Sequence, residues 1–415
     1  MIPKPLSEIG WADIEALRDS GREEDDTIEF KESFSGGSDY LEFNDSRRAK
    51  AIEGIAREAV AFLNGRGGDI IIGVREAAND HPKIEEITPV QNIDQTVDRL
   101  SQSLAALIEP TQTVLQLRAV RNGEGQSEGI IIVRCPPSLR APHRFTPTKE
   151  CYVRRGRSSV PMPMDEVQDL SVLKNSWRAQ RLADVERLFD QFEEGTVRRE
   201  TAAGDRFQLR MVYVPVSKQQ IDLSDETLRE IFSQRAEAFD KHGLAKIDDS
   251  FLRLGLWRPV LRGRAQVNLE GGADQDLCEL IGRELREDGS LIFDASWRIS
   301  AVPLGGSGKR HSVKGPWIVD FFVNCLWSIH QMLIFLPMYI PGYLVVRINV
   351  VGSIEIWLDG AGRDLAKLLP SRTDIQPFEI NDLDDLNNAL KQLQVDLYAL
   401  AERAPGYLLG FRPTS

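Results

Sequence analysis

Hydrophobic and polar positions recur at two different periods along the first 170 residues. Thr27-Ile-Glu-Phe-Lys31 alternates at period two, which predicts a strand with Ile28 and Phe30 toward a core and Glu29 and Lys31 together on the opposite face. Asp45 or Ser46 can cap a helix whose apolar positions, Ile52, Ile55, Ala59, Val60 and Leu63, fall at helical spacing until Asn64-Gly65 stops it. Gly67-Gly68 then turns the chain into Asp69-Ile-Ile-Ile-Gly-Val74, whose unbroken apolar run predicts a central strand buried on both faces. A helix over residues 93–108 places Val97, Leu100, Leu104 and Ile108 inward, and strands are predicted over residues 113–120, 129–135 and 151–154. Sheet and helices together make an α+β domain ending near Asp169. The opening residues, 1–20, lack an apolar region behind a basic one and read as an amphipathic helix with Ile14 and Leu17 inward, not as an export leader.

A helical connector over residues 173–194 leads to a second α+β region, so the predicted division is 1–172, a connector 173–205, and 206–415. The second region starts with the strand Leu209-Arg-Met-Val-Tyr-Val-Pro-Val216 and a capped helix over residues 224–242. Strands over 343–351 and 353–358 and a helix over 382–401 follow, with no internal repeat. Residues 321–346 contain no Asp, Glu, Lys or Arg, and a spanning helix needs about 20 apolar residues. Asp320, Asn324, Ser328 and Gln331 nevertheless share one helical face opposite Phe322, Leu326, Ile329 and Leu333, which predicts a buried amphipathic helix ended by Pro337, with no membrane involved.

Composition narrows the function classes. With 42% hydrophobic and 27% charged residues in 415, wholesale disorder is excluded. The formal charge of −12 excludes a uniformly basic coat, so a nucleic-acid surface must be a local patch. Cys135, Cys151, Cys278 and Cys325 are far apart and form no CxxC pair, so neither a disulfide framework nor a zinc knuckle is readable, and a reducing, cytoplasmic setting is expected.

Three stretches carry candidate chemistry. Glu23-Glu-Asp-Asp-Thr-Ile-Glu29-Phe-Lys31 is acidic, and carboxylates held together repel one another and bind a hard divalent cation; an acidic run is equally often a solvated face. Asn64-Gly-Arg-Gly-Gly68 before the buried strand, with Glu76 emerging past Gly73-Val74, suits either a ligand at the strand end or a tight turn with none. Residues 134–158 hold Arg134, Arg140, Arg144, Lys149, Arg154, Arg155 and Arg157 against Glu150, seven minus one or +6, with His143, Phe145 and Tyr152 interleaved as base-stacking or phosphate-bonding groups. That stretch reads as a phosphate-backbone footprint or as a basic face paired with acidic surface. Gly305-Gly-Ser-Gly-Lys309-Arg-His-Ser312 is no P-loop, since Pro303 replaces its first glycine and Arg310 its Ser or Thr. The five histidines are scattered, and no GxSxG or nucleophile pairing stands out.

Taken in order, Thr27-Ile-Glu-Phe-Lys31, then Ala61-Phe-Leu-Asn-Gly-Arg-Gly-Gly-Asp-Ile-Ile-Ile-Gly-Val74, then Cys151-Tyr-Val-Arg-Arg-Gly-Arg-Ser158, resemble the Schlafen AlbA-like domain over roughly residues 10–170. The resemblance implies an α+β, mixed-sheet nucleic-acid-binding fold with flanking helices. In RNA-cleaving members it also implies a divalent-metal site of three carboxylates. Glu29 matches the acid of the EFK motif, Glu24 the first acid, and Glu76 the third, where those members carry Asp; Lys31 matches the lysine beside the site. A longer stretch, residues 34–45, departs from the family pattern.

The resemblance therefore leads to the expectation of a metal-dependent endoribonuclease acting on structured RNA such as tRNA, with Mg²⁺ or Mn²⁺ on Glu24, Glu29 and Glu76, and suited to antiphage defence. Arg140, Arg144, Lys149, Arg154, Arg155 and Arg157 would grip phosphates. A homodimer would supply the second wall of an RNA cradle, and the C-terminal half would sense a trigger ligand or protein. The alternative is a non-catalytic DNA- or RNA-binding regulator; an ATP-binding role is discounted for want of a Walker A motif.

Overall fold

The computed structural model describes the chain apart from residues 33–44, 78–82, 111–114, 124, 197–204, 217–219, 233–237, 241–242, 246–255, 261, 268–279, 300–312, 337–340, 353, 359–364, 382, 404–409 and 412–415. Two of the stretches singled out above, residues 34–45 almost entirely and Gly305 to Ser312 wholly, lie outside the described residues. The chain divides into two units, Met1–Trp177 with Ile334–Pro341 and Arg178–Leu333 with Gly342–Ser415. Each is a mixture of helix and strand, as the α+β reading expects.

The first unit runs α1 (Trp11–Asp19), β1 (Ile28–Lys31), α2 (Asp45–Asn64), β2 (Gly68–Ile72), β3 (Val74–Glu76), β4 (Ile84–Ile87), α3 (Ile93–Leu107), β5 (Ile108–Glu109), β6 (Gln116–Val120), β7 (Ile130–Cys135), β8 (Arg144–Phe145), β9 (Glu150–Arg155) and β10 (Ser158–Pro161). Its main sheet has the order β1-β2-β7-β6 and is mixed: β1 lies parallel to β2, while β2 and β6 are antiparallel to β7. Because successive residues of β2 point to opposite faces, Ile70 and Ile72 pack with Ile55, Ala59, Phe62, Leu100 and Leu104 of α2 and α3. Ile71 packs on the other side with Ile28 and Phe30 of β1 and Ile14 of α1. A second sheet, β10-β9-β8-β5, and the β3-β4 hairpin complete the unit.

Two local features position everything that follows. The apolar run of residues 69–74 is not one strand: Gly73 adopts φ +105°, and a Cβ there would meet Ile130 Cδ1 at 2.8 Å, so the chain bends and Glu76 leaves the main sheet in β3. The end of α2 is fastened to the second sheet by Asn64. Its amide donates to the His143 and Tyr152 carbonyls, each at 2.9 Å, and its carbonyl oxygen accepts from His143 N at 2.6 Å.

The helix α4 (Met164–Thr196) begins nine residues before the predicted start at residue 173, with Asp165 and Glu166 in its first turn, where the helix dipole favours acids. The second unit then contains β11 (Asp205–Pro215), α5 (Asp225–Ile231), β12 (Ala238–Asp240), β13 (Gly243–Ala245), β14 (Arg258–Val260), β15 (Gly263–Val267), β16 (Leu280–Arg286), β17 (Leu291–Ile299) and β18 (Val313–Lys314). After these come α6 (Gly315–Phe335), β19 (Gly342–Val351), β20 (Ile354–Trp357), β21 (Leu365–Leu368), β22 (Ser371–Ile380), α7 (Leu383–Leu400) and β23 (Gly410–Phe411). Its seven-stranded sheet has the order β14-β15-β16-β17-β11-β19-β22, with neighbouring strands antiparallel.

The predicted helix over residues 224–242 is a correction. It is capped by Ser224 as expected, but it stops at Ile231, and residues 238–240 instead pair with β13 and with β23, more than 160 residues away. Long-range pairing of this kind overrides local helix propensity. The helix α6, whose one charged side chain is Asp320, is long and apolar enough to cross a membrane, yet 83% of its apolar window is buried within the protein. Asn324, Ser328 and Gln331 are buried along with the apolar face; Ser328 accepts from Arg283 at 3.3 Å and donates to the Asn324 carbonyl at 2.8 Å.

Candidate carboxylate site and nucleic-acid surface

The acidic residues converge because three segments end at one place. Asp25 N bonds to the Ile28 carbonyl at 3.3 Å and Thr27 N to Asp25 Oδ1 at 2.7 Å, which folds residues 23–26 back along β1. Glu24 Oε1 then accepts from Phe30 N at 2.7 Å. Glu29 and Lys31 share a face of β1, as the alternation predicts, and are ion-paired to one another. The Gly73 bend brings Glu76 back: its carboxyl lies within hydrogen-bonding reach of Glu24, which lies within reach of Glu29.

Electrostatics in the cluster follow from crowding acids in a poorly solvated place. Burial pushes the Glu24 and Glu76 carboxyls above the usual range, helped at Glu24 by the charge of Glu76 and at Glu76 by that of Glu29. Burial raises Glu29 to about 7, with Glu58 and Glu24 adding to the rise and Lys31 and Arg154 opposing it. Burial works against the Lys31 ammonium, but Glu29, Glu58 and Glu24 outweigh it and hold its pKa above the ordinary value.

A raised carboxyl pKa carries a sign for stability. Between about 4.5 and 7 the folded protein holds a proton on Glu29 that the unfolded chain has released, so ionisation of Glu29 costs stability progressively as pH rises through this window. Below about 4.5 both states are protonated and the cost vanishes. Glu29→Gln removes the cost. Compared with the parent, it should gain up to about 3 kcal/mol between pH 4.5 and pH 8, at about 1.4 kcal/mol per pH unit. Urea unfolding in chelator measures this, and a difference constant with pH would contradict it.

The basic residues divide into two groups that charge counting cannot separate. Arg134 is buried against Asp69, and Arg154 is buried against Glu29 at 2.8 Å and Glu58 at 2.5 Å. Arg154, expected to hold phosphate, instead holds two carboxylates. Arg140, Arg144, Lys149, Arg155 and Arg157 are exposed. Arg144 pairs with Glu109 at 2.7 Å and Arg155 with Glu166, surface contacts that contribute little and yield readily to a phosphate. Arg157 sits in the β9-β10 turn and its charge is felt by Glu76, so it borders the acids.

The expectation that His143, Phe145 and Tyr152 meet bases is overturned: all three are buried. Phe145 and Tyr152 pack edge to face at 6.4 Å, and His143 lies between the Ser138 hydroxyl at 2.7 Å and the Pro110 carbonyl at 3.1 Å, its pKa pushed down by burial to about 4. Strand alternation and the Asn64 clasp, invisible in a local count, turn these rings inward. The residue that sequence reasoning missed is Glu58. Its signal was present, an acid on the same side of α2 as the core positions Ile55, Ala59 and Phe62.

Glu24, Glu29 and Glu76 offer only carboxylate oxygens, the donors a hard cation prefers. Among the described residues no group of three or more His, Cys, Asp or Glu side chains is placed to hold a metal ion, and Lys31 and Arg154 flank Glu29. Mg²⁺ commonly takes one or two carboxylates together with water and substrate phosphate, so the open pair Glu24 and Glu76, with Glu29 adjoining, fits such an ion.

Residues 24–163 match the family model for Schlafen, AlbA_2. No curated protein matches the chain. Among solved structures, the chain is similar to the DIP2311 protein of Corynebacterium diphtheriae, with 19% identity over 41% of this chain and 31% of that one and a TM-score of 0.26. It is also similar to the N-terminal domain of a RecG-related protein from Nitrosomonas europaea, with 18% identity over 31% of this chain and 70% of that one and a TM-score of 0.21. The folded-back acidic segment, β1, the glycine turn into β2 and the β9-β10 hairpin all fall inside the matched residues, and this chain therefore carries a Schlafen AlbA_2 domain.

Proposed function

We propose that the AlbA_2 domain is a metal-dependent endoribonuclease acting on structured RNA such as tRNA. Nucleic-acid binding is what a Schlafen AlbA_2 domain suggests, and the exposed Arg140, Arg144, Lys149, Arg155 and Arg157 supply cations for a phosphate backbone. The observation that carries the catalytic step is the convergence of Glu24, Glu29 and Glu76 from three separate segments, with carboxyls crowded enough to raise one another's pKa. Acids in that state share protons until a cation replaces them. When bound, Mg²⁺ or Mn²⁺ would polarise a phosphodiester and activate water. Glu24 and Glu76 would hold it, Glu29 would complete the set, and Lys31, on the same strand face, would lie beside the phosphate undergoing attack.

The ion pairs of Glu29 with Lys31 and Arg154 favour one other reading, a binding module that leaves nucleic acid intact. A single experiment separates the two. The full chain is incubated with total tRNA and with duplex DNA, with Mn²⁺ or with chelator, and binding is followed over a range of salt. The nuclease reading requires RNA fragments with Mn²⁺ and none with chelator. Intact RNA, bound with a steep salt dependence, would replace it by the binding module.

A further inference from the structure

Behind the three acids stands a fourth to which the proposal above gives no role. Glu58, on α2, has its Oε2 2.5 Å from Arg154 Nη1 and accepts a hydrogen bond from the Ser159 hydroxyl. The same guanidinium nitrogen stands 2.8 Å from Glu29 Oε2. Arg154 is fixed in this place: its Nη2 donates to the Asp25 carbonyl at 3.0 Å and its guanidinium lies 5.0 Å from the centre of the Phe62 ring. Its side chain is 3% exposed, so it reaches neither solvent nor substrate.

One guanidinium nitrogen divided between two carboxylates neutralises neither fully. We infer that Glu58 is a positioning residue for Glu29: by drawing Arg154 from behind, it keeps Lys31 and Arg154 from cancelling the negative charge of the acid cluster and sets the orientation of Glu29 that a divalent cation beside Glu24 and Glu76 needs. The inference rests on the metal-dependent reading of the same site. Gln at position 58 keeps the shape and can still bond to Ser159, but it carries no charge. Arg154 then pairs with Glu29 alone, and the cluster loses one carboxylate from Glu24, Glu29, Glu58 and Glu76. Both changes weaken cation binding. Ser159→Ala leaves the charge in place and loosens only the orientation of Glu58, so its effect is smaller.

The test uses the full chain, with Mn²⁺ affinity read from the paramagnetic resonance of the free ion, beside RNA cleavage and melting temperature. Glu58→Gln should weaken Mn²⁺ binding by about tenfold or more and lower kcat, because altered partners of metal ligands cost about 10–100-fold. KM for RNA should stay unchanged, since the Glu58 carboxylate is turned to Arg154 and Ser159. Unaltered Mn²⁺ affinity in a folded Glu58→Gln variant, while the parent binds and cleaves, would overturn the inference and leave the nuclease reading standing. A parent that neither binds Mn²⁺ nor cleaves would overturn both. Should Glu58→Gln fail to fold, Ser159→Ala decides: an affinity equal to that of the parent removes the role given to Glu58.

Discussion

Asp69→Ala is expected to cost the N-terminal unit about 3–5 kcal/mol, the penalty for breaking a buried ion pair by removing one partner. Asp69 is fully buried in β2 and uses both oxygens: Oδ1 accepts from Arg134 Nε at 2.7 Å, and Oδ2 from Arg134 Nη2 at 2.9 Å and from Ile2 N at 2.7 Å. Arg134, its register partner on β7, also donates to the carbonyls of Lys4 at 2.7 Å and Ile2 at 3.0 Å. Without Asp69, a buried guanidinium keeps only neutral acceptors among these contacts, and the N–H of Ile2 loses its acceptor. Urea unfolding gives the number. Replacing both partners, Asp69→Leu with Arg134→Met, should recover part of the loss, because the desolvation of both charges disappears with them. A loss under about 1 kcal/mol for Asp69→Ala would mean that Arg134 finds another counter-charge.

Glu76→Gln should lower metal-dependent RNA cleavage by at least about 100-fold. Glu76 is only half-buried, so an isosteric amide there leaves the fold alone, but it removes one carboxylate of the open pair with Glu24. RNA binding should persist or strengthen slightly, since a negative charge near Arg157 has been removed, and the salt dependence of binding should be unchanged. This split between binding and cleavage is what a catalytic carboxylate produces and a structural one does not. Cleavage at the parental rate in Glu76→Gln would exclude Glu76 from the site. Glu76→Asp tests the departure noted in the sequence: if the longer arm matters, shortening it by one methylene alters metal preference more than RNA affinity.

Much of the fold was legible because it depends on local periodicity. Ile28 and Phe30 face the core while Glu29 and Lys31 share the other side, β2 is buried on both faces, and α2 ends at Asn64, all readable from spacing alone. The grouping of Glu24, Glu29 and Glu76 came from a family resemblance, not from spacing, since Glu29 and Glu76 meet only through the Gly73 bend. The pairing of Glu58 with a buried Arg154 and the inward turn of His143 and Tyr152 were not legible, because each depends on contacts between distant segments, such as the 96 residues that separate Glu58 from Arg154.

By itself, then, the sequence determined where α1, β1, α2, β2, α3, β6, β7 and β9 lie in the first unit, which faces of those elements are apolar, and where acids and bases cluster along the chain. Those are properties of neighbours within a turn or a strand, where side-chain direction has a fixed period. Only the tertiary structure decided which charges reach solvent and which neutralise one another. The seven cations of residues 134–158 are equivalent in a count, yet strand pairing buries Arg134 against Asp69 and Arg154 between Glu29 and Glu58, and leaves Arg140, Arg144, Lys149, Arg155 and Arg157 exposed. A buried charge needs a counter-charge and an exposed one does not, so the same side chain becomes a scaffold in one place and a phosphate contact in another.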